Sequence, residues 1–470
     1  MTSIKRSLED DSQGKTDLVD HRTYKRQRRR YLDTINLRNL DFDVEKTCSI
    51  TLSPLNVYCC LVCGRYLQGR SSNTVAFRHS IEEGHHIFVS MATRAFYALP
   101  ENHEIAQESA HVLKKIDQLI RPSYTQRDIE QYPLKCYDLN DHAFQNGFVG
   151  LNNSACPSYV NAILLVLSHI PQVRNVFLLK GTESFELDLI KKIALMVKKI
   201  WSPHLLRAHV SPFEISQQLS LESKKIQTVN RIKNPHDFLI WIIHYITSNI
   251  PNNELSETLV RDCRGVVEIK TKKIKDVGRD SSRDTKFTEF DGKESSRKTT
   301  FWNLSLDLPL MSFLNYENNA NDLPQVKLET LLEKFLGQKD VRAADRVSRY
   351  KLLEYPKILF ILFNRFTKGA KLPIKERNRT IVEFQPELKL DGFTYRLIGN
   401  IAHETMSRQK RGEVNQVDEA DEVDEESEWK TQLLEPRSQE WFEFGDKEVK
   451  PKEKQLLFLS ETFVQVWQRS

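Results

Sequence analysis

Apolar positions along the chain follow different periods in different regions. From Pro157 to His169 they recur at Tyr159, Ala162, Ile163, Val166 and Leu167. That spacing of three and four residues lines one face of a helix, with proline at its start. A second apolar run, Leu239–Ile246, lies in the same region, and residues 145–260 read as mainly helical. Further on the pattern changes. LSLDLP, KILFILFNRF, TYRLIGNIAH and the terminal TFVQVWQ place residues 300–310 and 355–470 in strands. A helical front and a strand-rich back predict an α+β architecture. Residues 31–130 form a third region, rich in cysteine, histidine and aromatics, that ends in the amphipathic stretch Glu104–Leu119.

The apolar runs Ala162–Val166 and Leu239–Ile246 are far shorter than the ~20 residues of a membrane span. The first residues, MTSIKRSLEDDSQGK, lack the apolar segment of a secretory signal. Seven cysteines, an odd number, argue against a disulfide framework and for a reducing compartment. Membrane and secreted classes are therefore not expected. A chain of 470 residues is long enough for more than one domain.

Charge divides the chain further. The net charge is +5, and residues 1–30 hold nine basic against five acidic residues. With little apolar content this segment cannot offset the entropy of ordering, so it is expected to be a disordered basic tail. The run HRTYKRQRRR fits a nuclear-import signal or a nucleic-acid arm, and a plain solubilising tail is the alternative. Residues 270–300 contain ten Lys/Arg and six Asp/Glu, and residues 413–428 nine acids with no base. Both read as charged insertions, near 270–300 and 407–428.

Cys60, Cys63, His79 and His85 form C-x2-C-x15-H-x5-H. Zinc requires four such donors at tetrahedral corners, and a C-x2-C turn supplies two thiolates from one knuckle. His86 is adjacent and offers a substitute for His85. Cys48 and Cys59 have no partner at ligand spacing and are expected to be packed thiols.

The stretch YCCLVCGRYLQGR…FRHSIEEGHHIFVSM resembles the ubiquitin-binding zinc-finger domain at the front of several ubiquitin-specific proteases. Cys60, Cys63, His79 and His85 match one complete ligand set of that family. A second set is degraded, with Cys48 in its first position and Thr51, Gln68 and Val75 in the others. The resemblance therefore implies a single zinc ion. It also implies that Arg70 and Tyr58 are the candidate contacts for a ubiquitin C-terminal carboxylate, which an arginine fork suits. The family's second aromatic aligns with Ala98, next to Tyr97.

GFVGLNNSACPSYVNAILLVL resembles the nucleophile motif of the ubiquitin-specific proteases, with Gly150, Leu151, Asn153, Tyr159, Asn161 and Leu164 in register. The alignment puts Ser158 at the nucleophilic cysteine and Cys156 two positions early. Asn153 matches the family's oxyanion-stabilising amide. Ser427-Glu428-Trp429 is the best match to the motif bearing the catalytic histidine, which makes Glu428 the residue at that position. WFEFGDKEVKP matches the segment carrying the orienting acid and has Gly445 in its place. His403 corresponds to a non-catalytic histidine. NPHDFLIWIIHYI, FWNLSLDLPL and KILFILFNRF resemble further family landmarks. Where active members carry two C-x2-C knuckles in the fingers, this region has Cys263 alone.

The resemblance implies a small zinc-finger domain over residues 31–130, then a papain-like ubiquitin-specific-protease fold of thumb, palm and fingers over 145–470. Its degenerate triad, Ser158, Glu428 and Gly445, implies a scaffold without catalysis. The pattern is most similar to an inactive branch of that family that serves pre-mRNA splicing in the nucleus. The implied partners are the snRNP proteins of the tri-snRNP, with at most weak ubiquitin binding. No RNA-binding signature is present, so RNA contact is expected to be indirect or through the basic tail.

Overall fold

A computed structural model describes residues 31–107, 110–225, 232–275, 289–309, 324–342, 346–366, 378–406 and 426–470. The basic tail (1–30), residues 276–288 of the first charged insertion and residues 407–425 of the second lie outside the described residues. The chain divides into two units. One comprises residues 1–147 with 198–214, the other 148–197 with 215–470.

The first unit is built on a five-stranded antiparallel sheet. Its strand order is Tyr66–Gln68, Val57–Cys60, Ile87–Ser90, Phe96–Ala98 and His103–Ile105. Side chains alternate across a strand, and here both faces are buried. Val57, Cys59, Ile87, Val89 and Phe96 face one core, which the helix His111–Ile120 covers with Leu113, Ile116, Leu119 and Ile120. Cys60 and Phe88 face the other core, with Val75 and Ala76 from the helix Val75–Glu82. The stretch Glu104–Leu119 thus begins in an edge strand, and helix starts only at His111. The turn after Cys63 depends on Gly64, at φ +77°, where an added Cβ would lie 2.0 Å from the carbonyl oxygen of Asn39. Only glycine tolerates both the left-handed backbone and that approach.

The second unit is α+β, as the patterning predicts. The helix Ser158–His169 is buried continuously from Val160 to Ser168, so it is a core helix rather than an amphipathic surface one. It packs against Pro235–Asn249 and Pro171–Leu179. The strand-rich half forms an eight-stranded sheet. Its main path runs Asn303–Asp307, Ile358–Asn364, Glu461–Arg469, Phe393–Met406, Glu426–Leu434, Trp441–Gly445 and Glu448–Lys452, and Glu387–Leu390 pairs with Phe393–Met406. Ile358–Asn364 is buried at six successive positions, as expected of a strand covered on both faces. Arg365 ends it. This buried guanidinium donates to the carbonyls of Thr462 (2.6 Å), Asn378 (2.8 Å) and Thr380 (3.0 Å), closing the sheet's end.

A separate four-stranded antiparallel sheet has the order Glu289–Phe301, Gly265–Lys275, Arg346–Glu354 and Leu336–Arg342. The flanks of the 270–300 segment are therefore paired strands.

Candidate functional site

The metal-ligand spacing folds into one cluster. The sheet presents Cys60 at a strand end, the knuckle turn presents Cys63, the helix Val75–Glu82 presents His79, and the loop after it presents His85. The four donor atoms lie within 4.8 Å of one another. Cys63 Sγ is 3.4 Å from His79 Nε2, and that nitrogen is 3.0 Å from His85 Nδ1. A tetrahedral zinc site with ordinary bond lengths has ligand-to-ligand edges of about 3.3–3.8 Å, and the donor separations, from 3.0 Å to at most 4.8 Å, bracket that range. The Cys63 thiol is held below its ordinary value, first by the hydrogen bond from Cys60 and then, against burial, by backbone and His85 hydrogen bonds and His79. His86 is not part of the cluster. Its Nδ1 lies 2.8 Å from the Leu99 carbonyl oxygen, and its ring stacks on Tyr31 at 4.3 Å.

At the degraded second set, protein hydrogen bonds stand where a metal would. Thr51 Oγ1 donates to Gln68 Oε1 at 2.9 Å, Gln68 Nε2 donates to Ser53 Oγ at 3.2 Å, and the Thr51 amide donates to Cys48 Sγ at 3.4 Å. Val75 and Cys48 are packed in one apolar core. Among the described residues the Cys60 group is the one cluster with metal-site geometry.

Tyr58, Arg70 and Tyr97 come together on the same unit. The Arg70 guanidinium lies 4.3 Å above the Tyr97 ring and hydrogen-bonds to Asn102, while Tyr58 meets Tyr97 edge-on at 5.9 Å. Ala98 points into the core, so Tyr97 supplies the second aromatic. Nothing in the sequence singles out Asn102 as the partner of Arg70.

In the second unit, three elements converge on Asn153. Its side-chain amide donates to Glu428 Oε1 at 3.2 Å, and its carbonyl oxygen accepts from Asn161 Nδ2 at 2.9 Å. Its backbone amide donates to Asp446 Oδ1 at 2.6 Å. Ser158 opens the core helix, and its Oγ accepts from the Trp429 backbone amide at 3.3 Å. Ser158 and the Glu428–Trp429 strand are therefore neighbours. Gly445 ends the strand Trp441–Gly445 and adds no side chain. Gly150 lets the backbones close up, because a Cβ there would lie 2.3 Å from the Lys447 carbonyl oxygen. Asp446 is the anchor that triad reasoning passes over. Its signal is the aspartate that follows Gly445 in the resemblance.

The two remaining nucleophile and base candidates are elsewhere in the packing. Cys156 is buried, and burial pushes its thiol up to about 12, opposed by a hydrogen bond to Ser216. The His403 ring is buried against Trp429 (4.8 Å) and Phe366 (5.8 Å), with Glu461 at 4.0 Å. A general base must reach the proton it takes. Ser158 Oγ accepts from a backbone amide, and the carboxylate of Glu428 is engaged by Asn153.

Residues 149–466 match the family described as ubiquitin carboxyl-terminal hydrolase, and residues 46–110 the zinc finger in ubiquitin-hydrolases and other proteins. The chain is 38% identical to the pre-mRNA-splicing factor SAD1 of Saccharomyces cerevisiae, covering 93% of each protein. It is 31% identical to the probable mRNA-splicing protein ubp10 of Schizosaccharomyces pombe, over 94% of this chain and 88% of that protein. Ubiquitin carboxyl-terminal hydrolase 39 of Homo sapiens is 33% identical, over 93% and 79% of the two chains. A crystal structure described as that of an essential yeast splicing factor superposes with a TM-score of 0.76 at 36% identity, covering 94% of this chain and 99% of that one.

Proposed function

The chain belongs to the ubiquitin carboxyl-terminal hydrolase family, and from that premise we propose that it acts without catalysis, as a protein-interaction scaffold in pre-mRNA splicing. The two yeast relatives are named as splicing proteins, and the match spans 93% and 88% of their lengths, which supports the setting. The observation that carries the non-catalytic reading is the junction at Asn153. The resemblance aligns Ser158, Glu428 and Gly445 with the three triad positions. Ser158 and Glu428 are engaged by the Trp429 amide and by Asn153, bonds that hold a fold together rather than activate a nucleophile, and Gly445 has no side chain. A serine hydroxyl needs a base and a carboxylate is a weak one. Glycine cannot orient it.

In this reading the partners are snRNP proteins of the tri-snRNP, whose assembly or stability the scaffold promotes, and the setting is the nucleus. The zinc-finger region (31–130) carries one structural zinc on Cys60, Cys63, His79 and His85, because hydrogen bonds replace the second ligand set. The protease-like region (145–470) supplies the larger contact surface. The test is affinity purification from nuclear extract together with a ubiquitin-based active-site probe. Co-purifying spliceosomal proteins and snRNAs with no probe adduct are expected. An adduct at Ser158 or Cys156 would establish a hydrolase and overturn the proposal.

A second reading, a ubiquitin-reading adaptor, is favoured by the grouping of Tyr58, Arg70 and Tyr97. A ubiquitin carboxylate would have to displace Asn102 from Arg70. Titration of the full chain with ubiquitin separates the two: saturable micromolar binding lost in Arg70→Ala supports the reader, and absent binding removes it.

A further inference from the structure

The four-stranded sheet has a charge imbalance that its pairing organises. Its strands, Gly265–Lys275, Glu289–Phe301, Leu336–Arg342 and Arg346–Glu354, contain twelve Lys/Arg against six Asp/Glu. The net of +6 exceeds the +5 of the entire chain.

Residues directly opposed on neighbouring strands share a face. One row is Lys298, Glu268 and Lys351. The next is Ser296, Lys270, Arg349 and Asp340. The third is Glu294, Lys272, Val347 and Arg342. One face thus gathers six cations, all exposed, against three acids.

Two of the six are occupied. Arg349 makes a two-pronged bridge to Asp340 at 2.7 and 3.1 Å, and Lys270 lies 3.8 Å from Glu268. Lys272, Lys298, Arg342 and Lys351 have no ion pair among the described residues. Lys270 and Arg349 are directly opposed, and like charges so placed destabilise a sheet. The fold keeps a cost that an apolar or neutral pair would avoid.

We propose that this face binds the phosphate backbone of a single RNA strand without reading its bases. Cations two residues apart on a strand repeat at about 6.8 Å, the scale of the step between successive phosphates. An acidic peptide in extended conformation has the same two-residue repeat, so the polyglutamate comparison below is the test that separates the two. Among the described side chains the face carries no aromatic platform for base stacking, so its contacts are to phosphate and sugar. The choice of RNA as the polyanion rests on the splicing reading above, whereas the binding itself is tested on the purified chain. It adds a direct RNA contact on the folded protein to the indirect or tail-borne contact expected from the sequence.

The test is fluorescence anisotropy of a labelled oligouridylate with the full-length chain at 50 and 200 mM salt. Four single-strand contacts give a log–log salt slope of about −3, or roughly a fifty-fold loss over that range. A variant with Lys272→Gln, Lys298→Gln, Arg342→Gln and Lys351→Gln is expected to lose this part of the slope. A charge-preserving set (K272R, K298R, R342K, K351R) is expected to retain it. Substituting Arg26, Arg28, Arg29 and Arg30 is expected to leave the sheet's share intact. A glutamine variant with the wild-type slope overturns the proposal, as does tighter binding of polyglutamate than of RNA. Photo-crosslinking of 4-thiouridine RNA to the wild-type chain gives an answer independent of variant folding. Adducts in 265–301 or 336–354 support the site, and adducts confined to residues 1–30 overturn it. Failure to co-purify spliceosomal proteins would refute the scaffold and leave these results standing.

Discussion

Replacing Asn153 by alanine separates a structural from a catalytic reason for keeping that residue. The side chain makes two hydrogen bonds, to Glu428 Oε1 at 3.2 Å and from Asn161 at 2.9 Å. The Glu428 bond is charge-assisted but half-exposed, so it contributes about 1 kcal/mol after solvent screening. The Asn161 bond is part-buried, and Asn161 Nδ2 keeps the Cys156 carbonyl at 3.2 Å, so its loss also costs about 1 kcal/mol. Together they predict about 2 kcal/mol of local stability. The assay is native-state hydrogen exchange at the Asn153 and Trp429 amides, which donate to Asp446 and Ser158 across this junction. A loss of 2 kcal/mol in opening free energy speeds exchange about thirty-fold. A double-mutant cycle of Asn153→Ala with Glu428→Ala should show coupling of about 1 kcal/mol. Exchange within three-fold of wild type and no coupling would refute the structural account, and Asn153 would then need another reason to be there.

Elemental analysis should find one zinc per chain, and none in Cys63→Ser or His79→Ala; a second ion would count against the filled Cys48–Thr51–Gln68 set. A structural zinc contributes on the order of 10 kcal/mol at neutral pH, so chelation should expose residues 57–90 to protease. Cys156, with its thiol near 12, should have only about one thiolate in ten thousand at pH 8. Iodoacetamide should therefore leave Cys156 unmodified in the native chain and label it after unfolding; rapid native labelling would mean that the site opens. Asp262 is fully buried and bridged by Arg261 (2.9 Å) and Lys357 (3.1 Å). Burial alone would raise its carboxyl, but the hydrogen bonds and charges of Arg261 and Lys357 outweigh it and hold the group below its ordinary value. The unfolded chain therefore binds the proton first. The stabilisation is present above about pH 4 and lost as pH falls through the lower folded value. Asp262→Asn should flatten the fall of the urea midpoint between pH 4 and 2, and an unchanged slope would contradict the pairing.

The zinc cluster was legible because its information is local. A knuckle and two histidines at fixed spacing need only one sheet end and one helix to meet, and both follow from residues 57–85. The sequence reading of His85 over His86 agrees with the cluster, but what occupies His86, its stacking against Tyr31, 55 positions earlier, was not legible. The helix at Ser158 was readable from its period, although the continuous burial of Val160–Ser168 shows a core helix rather than one with a wet face. The 270–300 segment reads as a solvated insertion from its charge. Its flanks nevertheless pair as strands, because cross-strand register, which no single window contains, places their apolar residues Val267 and Ile269 in or against the core.

The amino-acid sequence by itself determined the period of each element, the Cys/His donor set and the serine, glutamate and glycine that the resemblance aligns with the triad. These are short-range or compositional properties, and a serine is a serine in any fold. Only the tertiary structure decided what those residues do to one another. Asn153 and Glu428 are 275 positions apart, and Asn153 and Asp446 are 293 apart. Their contact depends on the core helix docking on the large sheet and on Gly150 letting two backbones close. Chain connectivity does not encode such distances; packing does.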